Sequence, residues 1–245
     1  MSGHSKWNNI KNKKAKTDAQ KGKIFTKIGK EIQICVRAGG GDPAVNGKLR
    51  DLIQKAKDNN VPNDNIERAI KKAMGADSVV YEEIVYEGYG PSGVAVIVET
   101  ATDSRNRTAS NVRHYFDKYG GNLGATGCVS YMFDDKGVIV LLREDNENAD
   151  EDALMEAALE AGAEDFSSDE ETFEITTEVS DLYAVRDALV ALGYKIASAE
   201  EDKIPQNYIT LDDEDAIKNM NLLLEHLEDD EDIQEVYHNW ENCEE

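Results

Sequence analysis

The fold is decided by residues 138–199, which read VIVLLREDNENADEDALMEAALEAGAEDFSSDEETFEITTEVSDLYAVRDALVALGYKIASA. Short apolar runs alternate in this stretch with segments whose apolar residues recur every three or four positions, and these two patterns are typical of strands and helices. They predict, in order, strand Val138–Leu142, helix Glu151–Ala161, strands Glu164–Phe166 and Thr172–Thr177, helix Asp181–Leu192 and strand Tyr194–Ala199. This βαββαβ order is the split pattern of a ferredoxin-like sandwich.

The segments on either side predict a second sandwich. Upstream we expect strands Glu83–Gly88 and Val94–Thr100, a helix capped by Asp103 or Ser104, strand Cys128–Phe133 and a turn at Asp134–Gly137. Downstream we expect strand Tyr208–Leu211, helix Asp215–Leu227 and strand Ile233–His238. The downstream elements are too few to bury a core alone, so we predict that they complete the upstream sheet.

The first quarter of the chain predicts helices only. Residues 1–22 are polar and predict a mobile arm or a weak helix. Three amphipathic helices are then expected, at residues 23–37, from an Asp42-Pro43 start to Asn59-Asn60, and from an Asn63 N-cap to Gly75. The predicted fold class is therefore α+β, with a basic helical domain at residues 1–77, a discontinuous middle domain at 78–133 plus 206–245, and an inserted domain at 134–205.

Charge is distributed very unevenly along the chain. The 245 residues carry a formal net charge of −23, yet residues 1–75 hold 17 Lys+Arg and 7 Asp+Glu, whereas residues 76–245 hold 10 and 43. Asp18 is the one acidic residue among nine lysines in residues 1–30. Such asymmetry indicates that the basic end contacts a polyanion, although a merely solvated lysine face is the alternative.

Several classes of function are excluded or disfavoured by the sequence. No apolar run approaches the ~18 residues of a membrane-spanning helix, and no secretory signal is visible. The three cysteines are widely spaced and predict free thiols, and the four histidines show no metal-ligand spacing. The glycine-rich residues 120–127 follow a helix instead of a strand, so they predict a turn and no phosphate-binding loop. The acid pairs Asp134-Asp135 and Asp212-Asp213 are interpreted as caps or turn residues, and we expect no catalytic residue, metal or cofactor.

The candidate nucleic-acid-binding residues lie mainly in the first thirty positions. Lysines at this density neutralise phosphates without reading bases, and an aromatic side chain can stack on an unpaired base. The alternative interpretation of Trp7 is a packing anchor under the first helix. The candidates are His4, Lys6, Trp7, Lys11, Lys13, Lys14, Lys16, Lys21, Lys23, Lys27 and Lys30.

Three arginines form a second candidate group in the acidic part of the chain. Arg105 and Arg107 lie in the first turn of a predicted helix, where positive charge opposes the helix dipole, and Arg113 lies further along it. One interpretation is a contact with phosphate or with an acidic partner. The other is salt bridges to neighbouring acidic residues.

The chain resembles the YebC/PmpR family over essentially its whole length. The stretches that carry the resemblance are Gly3–Trp7, Gly22–Lys27, Gly39–Pro43, Tyr86–Pro91, Asn106–Thr108, Gly120–Gly124, Glu156–Asp165 and Gln234–Asn239. The resemblance implies three domains and a non-enzymatic regulator of gene expression. Bacterial members are described as DNA-binding transcriptional regulators, and some members as ribosome-associated translation factors that relieve stalling on proline-rich stretches.

The family resemblance leaves the bound nucleic acid open. The expected partner is duplex DNA or ribosomal RNA, the latter on the ribosome, and neither a membrane nor a small-molecule substrate is expected. No transit peptide precedes Gly3, so a cytoplasmic location is expected. No trusted helix-turn-helix is visible, and an unspecific lysine surface suits DNA and ribosomal RNA equally.

Overall fold

A computed structural model describes residues 18–75 and 79–242 of the chain. These residues divide into two compact units, one of residues 132–207 and one of residues 18–131 and 208–242. They contain seven α-helices and two four-stranded antiparallel sheets, which confirms the predicted α+β class. The three domain boundaries remain a prediction.

The larger unit begins with three helices and continues as a sheet with two further helices. Its elements are α1 (Asp18–Gly39), α2 (Gly47–Asp58), α3 (Asn63–Met74), β1 (Glu82–Tyr89), β2 (Ala95–Thr102), α4 (Arg105–Lys118), β3 (Asn122–Leu123), α7 (Glu214–Asp229) and β8 (Ile233–His238). The sheet order is β3-β1-β2-β8, so the downstream strand β8 pairs directly with β2.

Two apolar clusters support this unit. The first lies among α1, α2 and α3 and includes Ile32, Leu49 and Ile66. The second packs α4 and α7 against the sheet, with Phe116 and Leu223 fully buried. Because β8 and α7 supply much of the second cluster, the sheet needs residues from both sides of residues 132–207.

The smaller unit is a sheet covered by two helices. Its elements are β4 (Phe133–Leu142), α5 (Glu151–Ala161), β5 (Asp165–Ser168), β6 (Thr172–Thr177), α6 (Leu182–Ala191) and β7 (Ser198–Pro205), and its strand order is β5-β6-β4-β7. Its core contains Leu141, Leu154, Phe173 and Leu189 and draws on no residue of the larger unit. Phe133 pairs with Pro205, so the chain enters and leaves this unit at neighbouring positions.

Several predicted boundaries are wrong at the start of the chain. Residues 18–22 belong to α1 and not to the polar arm. The second helix begins one turn after Asp42-Pro43, because Asn46 is its N-cap and accepts from the Leu49 amide. Asp42 instead accepts from the Ala44 amide in a turn. The third helix starts at Asn63 itself, after an N-cap at Pro62.

Three further predicted segments are wrong. The turn predicted at Asp134–Gly137 is part of β4, because Asp135 and Lys136 pair across the sheet with oppositely charged residues of β7. The last strand of the smaller unit starts at Ser198 and not at Tyr194. Residues 208–211 form one bridge, between Ile209 and Trp240, and no strand.

Candidate nucleic-acid interface

Seven of the candidate residues lie outside the described residues: His4, Lys6, Trp7, Lys11, Lys13, Lys14 and Lys16. The remaining candidates lie on two helices of the larger unit: Lys21, Lys23, Lys27 and Lys30 on α1, and Arg105, Arg107 and Arg113 on α4.

Three lysines of α1 point to the C-terminal end of α7. Lys23, Lys27 and Lys30 are four and three residues apart, which places them on one helix face. Lys23 Nζ lies 2.6 Å from the Asp229 carboxylate, and Lys27 Nζ donates to the Glu228 carbonyl at 3.0 Å. A helix end presents unpaired carbonyls and a partial negative charge, and both attract ammonium groups. This face of α1 is therefore occupied within the protein.

Lys30 is the buried member of this face. Its ammonium donates to Asp232 Oδ1 at 3.0 Å and to the carbonyls of Glu231 at 2.7 Å and Ala101 at 3.3 Å. The side chains of Lys30 and Asp232 are 9% and 6% exposed. Lys30 is thus a structural residue, and its ammonium is closed to a phosphate in this arrangement.

Asp232 also accepts hydrogen bonds from an arginine of α4, Arg107. Arg107 donates to Asp232 Oδ2 through Nε at 3.0 Å and Nη2 at 2.6 Å, while the hydroxyls of Thr102 and Thr108 donate to the same oxygen at 3.1 and 2.9 Å. Burial raises the pKa of Asp232, but hydrogen bonds from Arg107, Lys30 and Thr108 outweigh burial, so the pKa is lowered. Asp232 therefore stays charged and joins α1, β2 and α4.

The three candidate arginines differ in whether they form salt bridges within the protein or stay accessible to a partner. Arg107 forms salt bridges with Asp232 and Asp103. Arg105 Nε lies 3.6 Å from Glu82 Oε2 and its side chain is exposed. Arg113 is exposed on α4. The salt-bridge interpretation therefore describes Arg107, while Arg105 and Arg113 remain accessible to a partner.

Further exposed basic residues lie on α2 and α3, where the sequence analysis named no binding residue. They are Lys48, Arg50, Lys57, Arg68, Lys71 and Lys72. Two of them lie near acidic residues, Arg50 near Asp51 at 3.8 Å and Lys71 near Glu67 at 3.9 Å. The sequence could have indicated these residues, because they lie outside the apolar faces of the two predicted helices.

The end of the glycine-rich segment and the residues after it bind a buried carboxylate. Glu87, buried in β1, accepts from the backbone amides of Gly127 at 2.7 Å, Val129 at 2.9 Å and Ser130 at 2.8 Å. These bonds explain why the predicted strand Cys128–Phe133 does not form over residues 128–132, since the amides of Val129 and Ser130 face a carboxylate and not a neighbouring strand. Phe133 is the first residue of β4. The strand of this region is β3, two residues at 122–123 within the predicted turn. The amides of Gly127, Val129 and Ser130 are thus already satisfied within the protein.

Glu87 remains ionised although it is buried. Burial raises its pKa, but the hydrogen bonds from Val129, Gly127 and Ser130 outweigh burial and lower it. Gly127 has a φ of +86°, a left-handed conformation that favours glycine and lets the loop turn its amide toward the carboxylate. No local pattern indicated this contact, because the two partners are 40 residues apart.

Residues of both acid pairs make contacts within the protein. Asp213 caps α7 by accepting from the Ala216 amide, as interpreted. Asp134 and Asp135 lie within β4, where they bind Gln206 and Lys203. Across residues 18–75 and 79–242, no group of three or more His, Cys, Asp or Glu side chains is arranged to hold a metal ion. The helices of these same residues include none that is long and apolar enough to cross a bilayer.

Comparison with known proteins decides the family. A family model described as the TACO1/YebC protein N-terminal domain matches residues 5–76, and one described as the TACO1/YebC second and third domain matches residues 81–240. The chain belongs to the TACO1/YebC family. The predicted resemblance is thereby confirmed.

Curated relatives of this TACO1/YebC chain share its length and much of its sequence. A "Probable transcriptional regulatory protein" of Acetivibrio thermocellus is 61% identical over 241 residues, which cover 98% of this chain and 99% of the relative. A protein of the same name from Ruminiclostridium cellulolyticum is 58% identical over 246 residues, covering 100% and 98%. These names place the family among regulatory proteins.

A solved structure shares the fold of this TACO1/YebC chain. The crystal structure of a conserved hypothetical protein from Aquifex aeolicus matches with a TM-score of 0.82 at 45% identity, covering 93% of each chain. The match spans most of both units described above.

Proposed function

We propose that this protein is a non-enzymatic, nucleic-acid-binding regulator of gene expression. The observation that carries the proposal is the charge division, with 17 Lys+Arg against 7 Asp+Glu in residues 1–75 of a chain whose net charge is −23. Relatives named as transcriptional regulators support duplex DNA as the first candidate ligand. Binding would occur in the cytoplasm, without a cofactor or a small-molecule substrate.

The basic end can attract a polyanion despite the acidic remainder. At physiological salt the Debye length is ~8 Å, so distant acidic residues cancel little of the local positive potential. The exposed basic side chains of α2 and α3 extend this positive surface beyond the first thirty residues. Lys30 and Arg107 are left out of the proposed interface because both are engaged by Asp232.

A second candidate, ribosomal RNA on the ribosome, is favoured by the same distribution of basic residues. The exposed basic side chains are spread over α1, α2 and α3 and are not concentrated on one reading helix. Such a surface suits phosphates and the shape of a folded RNA more than base edges. In that role the protein would act as a translation factor that relieves stalling on proline-rich stretches.

Crosslinking in living cells separates the two candidates. The protein is crosslinked, purified under denaturing conditions, and its bound nucleic acid is sequenced. Enrichment of defined duplex DNA sites supports the transcription role and contradicts the ribosome role, whereas enrichment of ribosomal RNA does the reverse.

A salt titration tests the electrostatic basis of binding. If about six basic side chains meet duplex phosphates, log K is expected to fall with log[salt] at a slope of roughly −5. Replacing Lys6, Lys11, Lys13, Lys14 and Lys16 by Gln is expected to weaken binding and flatten the slope. Replacing five exposed acidic residues by their amides is the control. An unchanged slope in the lysine variant would contradict the proposal.

A further inference from the structure

At the contact between α1 and the end of α7, lysines of α1 meet a run of consecutive acidic residues. Residues 228–232 read EDDED, five consecutive acidic residues. Three α1 lysines reach this acidic segment: Lys23 contacts the Asp229 carboxylate, Lys27 the Glu228 carbonyl, and Lys30 both the Glu231 carbonyl and Asp232. The acidic segment therefore offers these lysines closely spaced oxygens, as a phosphate backbone does.

We propose that the acidic segment, Glu228–Asp232, competes within the protein with nucleic acid for the two outer lysines of α1, Lys23 and Lys27. The segment would weaken nucleic-acid binding until a ligand displaces these outer contacts. This inference rests on the proposed function, since Lys23 and Lys27 are candidate binding residues of that function.

The burial of the contacts determines which of them can open. Lys30 and Asp232 are nearly inaccessible, and Asp232 is also held by Arg107, so this inner pair keeps α1 attached. Lys23 and Asp229 form the outer pair, with side chains 37% and 64% exposed. Exposed ion pairs contribute little stability, whereas several phosphates can bind several lysines together. A polyanion can therefore replace Asp229 without detaching α1.

The test compares two variants that lose the same charge from opposite ends of α7. Asp229→Asn with Glu231→Gln neutralises two exposed members of the acidic segment. Glu214→Gln with Asp215→Asn neutralises two exposed acidic residues in the first turn of the same helix. The two sites are separated by ~21 Å at ~1.5 Å per residue, well beyond the Debye length of ~8 Å.

Binding is measured by fluorescence anisotropy with a labelled 20-base-pair DNA duplex at low and physiological salt. We expect the Asp229/Glu231 variant to bind about two- to fivefold more tightly than the wild type, the range that an exposed ion pair allows. The Glu214/Asp215 variant is expected to match the wild type. Salt-sensitive binding that is equal in all three proteins overturns this inference alone, and no binding by any of them overturns the proposed function with it.

A second measurement reports the contact without nucleic acid. Acetylation of Lys23 by an amine-reactive ester, followed by mass spectrometry, is expected to be several-fold faster in the Asp229/Glu231 variant than in the wild type and the Glu214/Asp215 variant. Equal rates at Lys23 in the three proteins would show that the acidic segment does not shield this lysine, which also overturns the inference.

Discussion

At the scale of single residues, Asp232 is expected to have a large influence on stability. Its carboxylate accepts hydrogen bonds from Lys30, Arg107, Thr102 and Thr108, and its side chain is almost wholly buried. Removing one partner of a buried pair leaves the other charge uncompensated. Loss of the Asp232 carboxylate would therefore leave the ammonium of Lys30 buried without its counter-charge.

Replacing Asp232 by Asn is expected to lower the free energy of unfolding by about 3–5 kcal/mol, because Lys30 stays buried without a counter-charge. Urea denaturation at neutral pH measures this loss. The matched control is Asp229→Asn, which breaks an exposed pair and is expected to cost less than about 1 kcal/mol. Equal losses in the two variants would contradict the structural role assigned to Asp232.

The same carboxylate predicts a dependence of stability on pH. Its folded pKa is lowered, so its contribution is present above the ordinary aspartate pKa of about 3.9 and is lost as the pH falls through the folded value. We therefore expect the stability difference between the wild type and Asp232→Asn to be constant near neutrality and to shrink below about pH 4. A difference that persists at low pH would show that the charge of Asp232 is not its contribution.

At the scale of elements, Glu87 holds the loop that connects β3 to β4. Three amides of that loop donate to its carboxylate, and a glutamine in its place retains one acceptor oxygen and adds a competing donor. Glu87→Gln is expected to cost about 1–3 kcal/mol and to speed amide exchange at Gly127, Val129 and Ser130. Hydrogen-exchange mass spectrometry measures this, with Glu83→Gln, exposed on the same strand, as the control. Unchanged exchange would contradict the anchoring role.

Periodicity predicted the bounds of three elements correctly, namely Glu151–Ala161, Thr172–Thr177 and Ile233–His238. The helix buries Leu154 and Ala158 on one face, and the strands have apolar residues buried in the core at Phe173, Ile175 and Ile233. The failures lie where tertiary contacts decide the backbone. Asp134–Gly137 has turn composition but is held in β4 by charged partners on β7, and Cys128–Phe133 has strand composition but gives its amides to Glu87.

The candidate site was less predictable than the fold. Charge density indicated the lysines of α1, but their partners lie about 200 residues away, and no local spacing reports such a distance. The sequence therefore identified Lys23, Lys27 and Lys30 as basic residues without indicating that Lys30 is internally paired.

At the scale of the whole molecule, the position of residues 132–207 predicts that they can be removed. Phe133 and Pro205 are paired neighbours, and the apolar core of the smaller unit shares no residue with that of the larger. Replacing residues 134–204 by a short Gly-Ser linker is expected to leave the larger unit folded with cooperative unfolding. Circular dichroism and thermal unfolding measure this, and residues 132–207 expressed alone are the complementary test. Loss of cooperative unfolding in both proteins would contradict separate folding.

The pairing of β2 with β8 has a consequence for biosynthesis. At ~5–20 residues per second, a ribosome needs roughly 5–30 s to proceed from β2 to β8. During that interval residues 132–207 of the smaller unit are synthesised in full, while the nascent β2 edge is unprotected and Asp232, the counter-ion of Lys30, does not yet exist. A chaperone that shields an open strand edge would therefore act on β2 in the interval before β8 is synthesised.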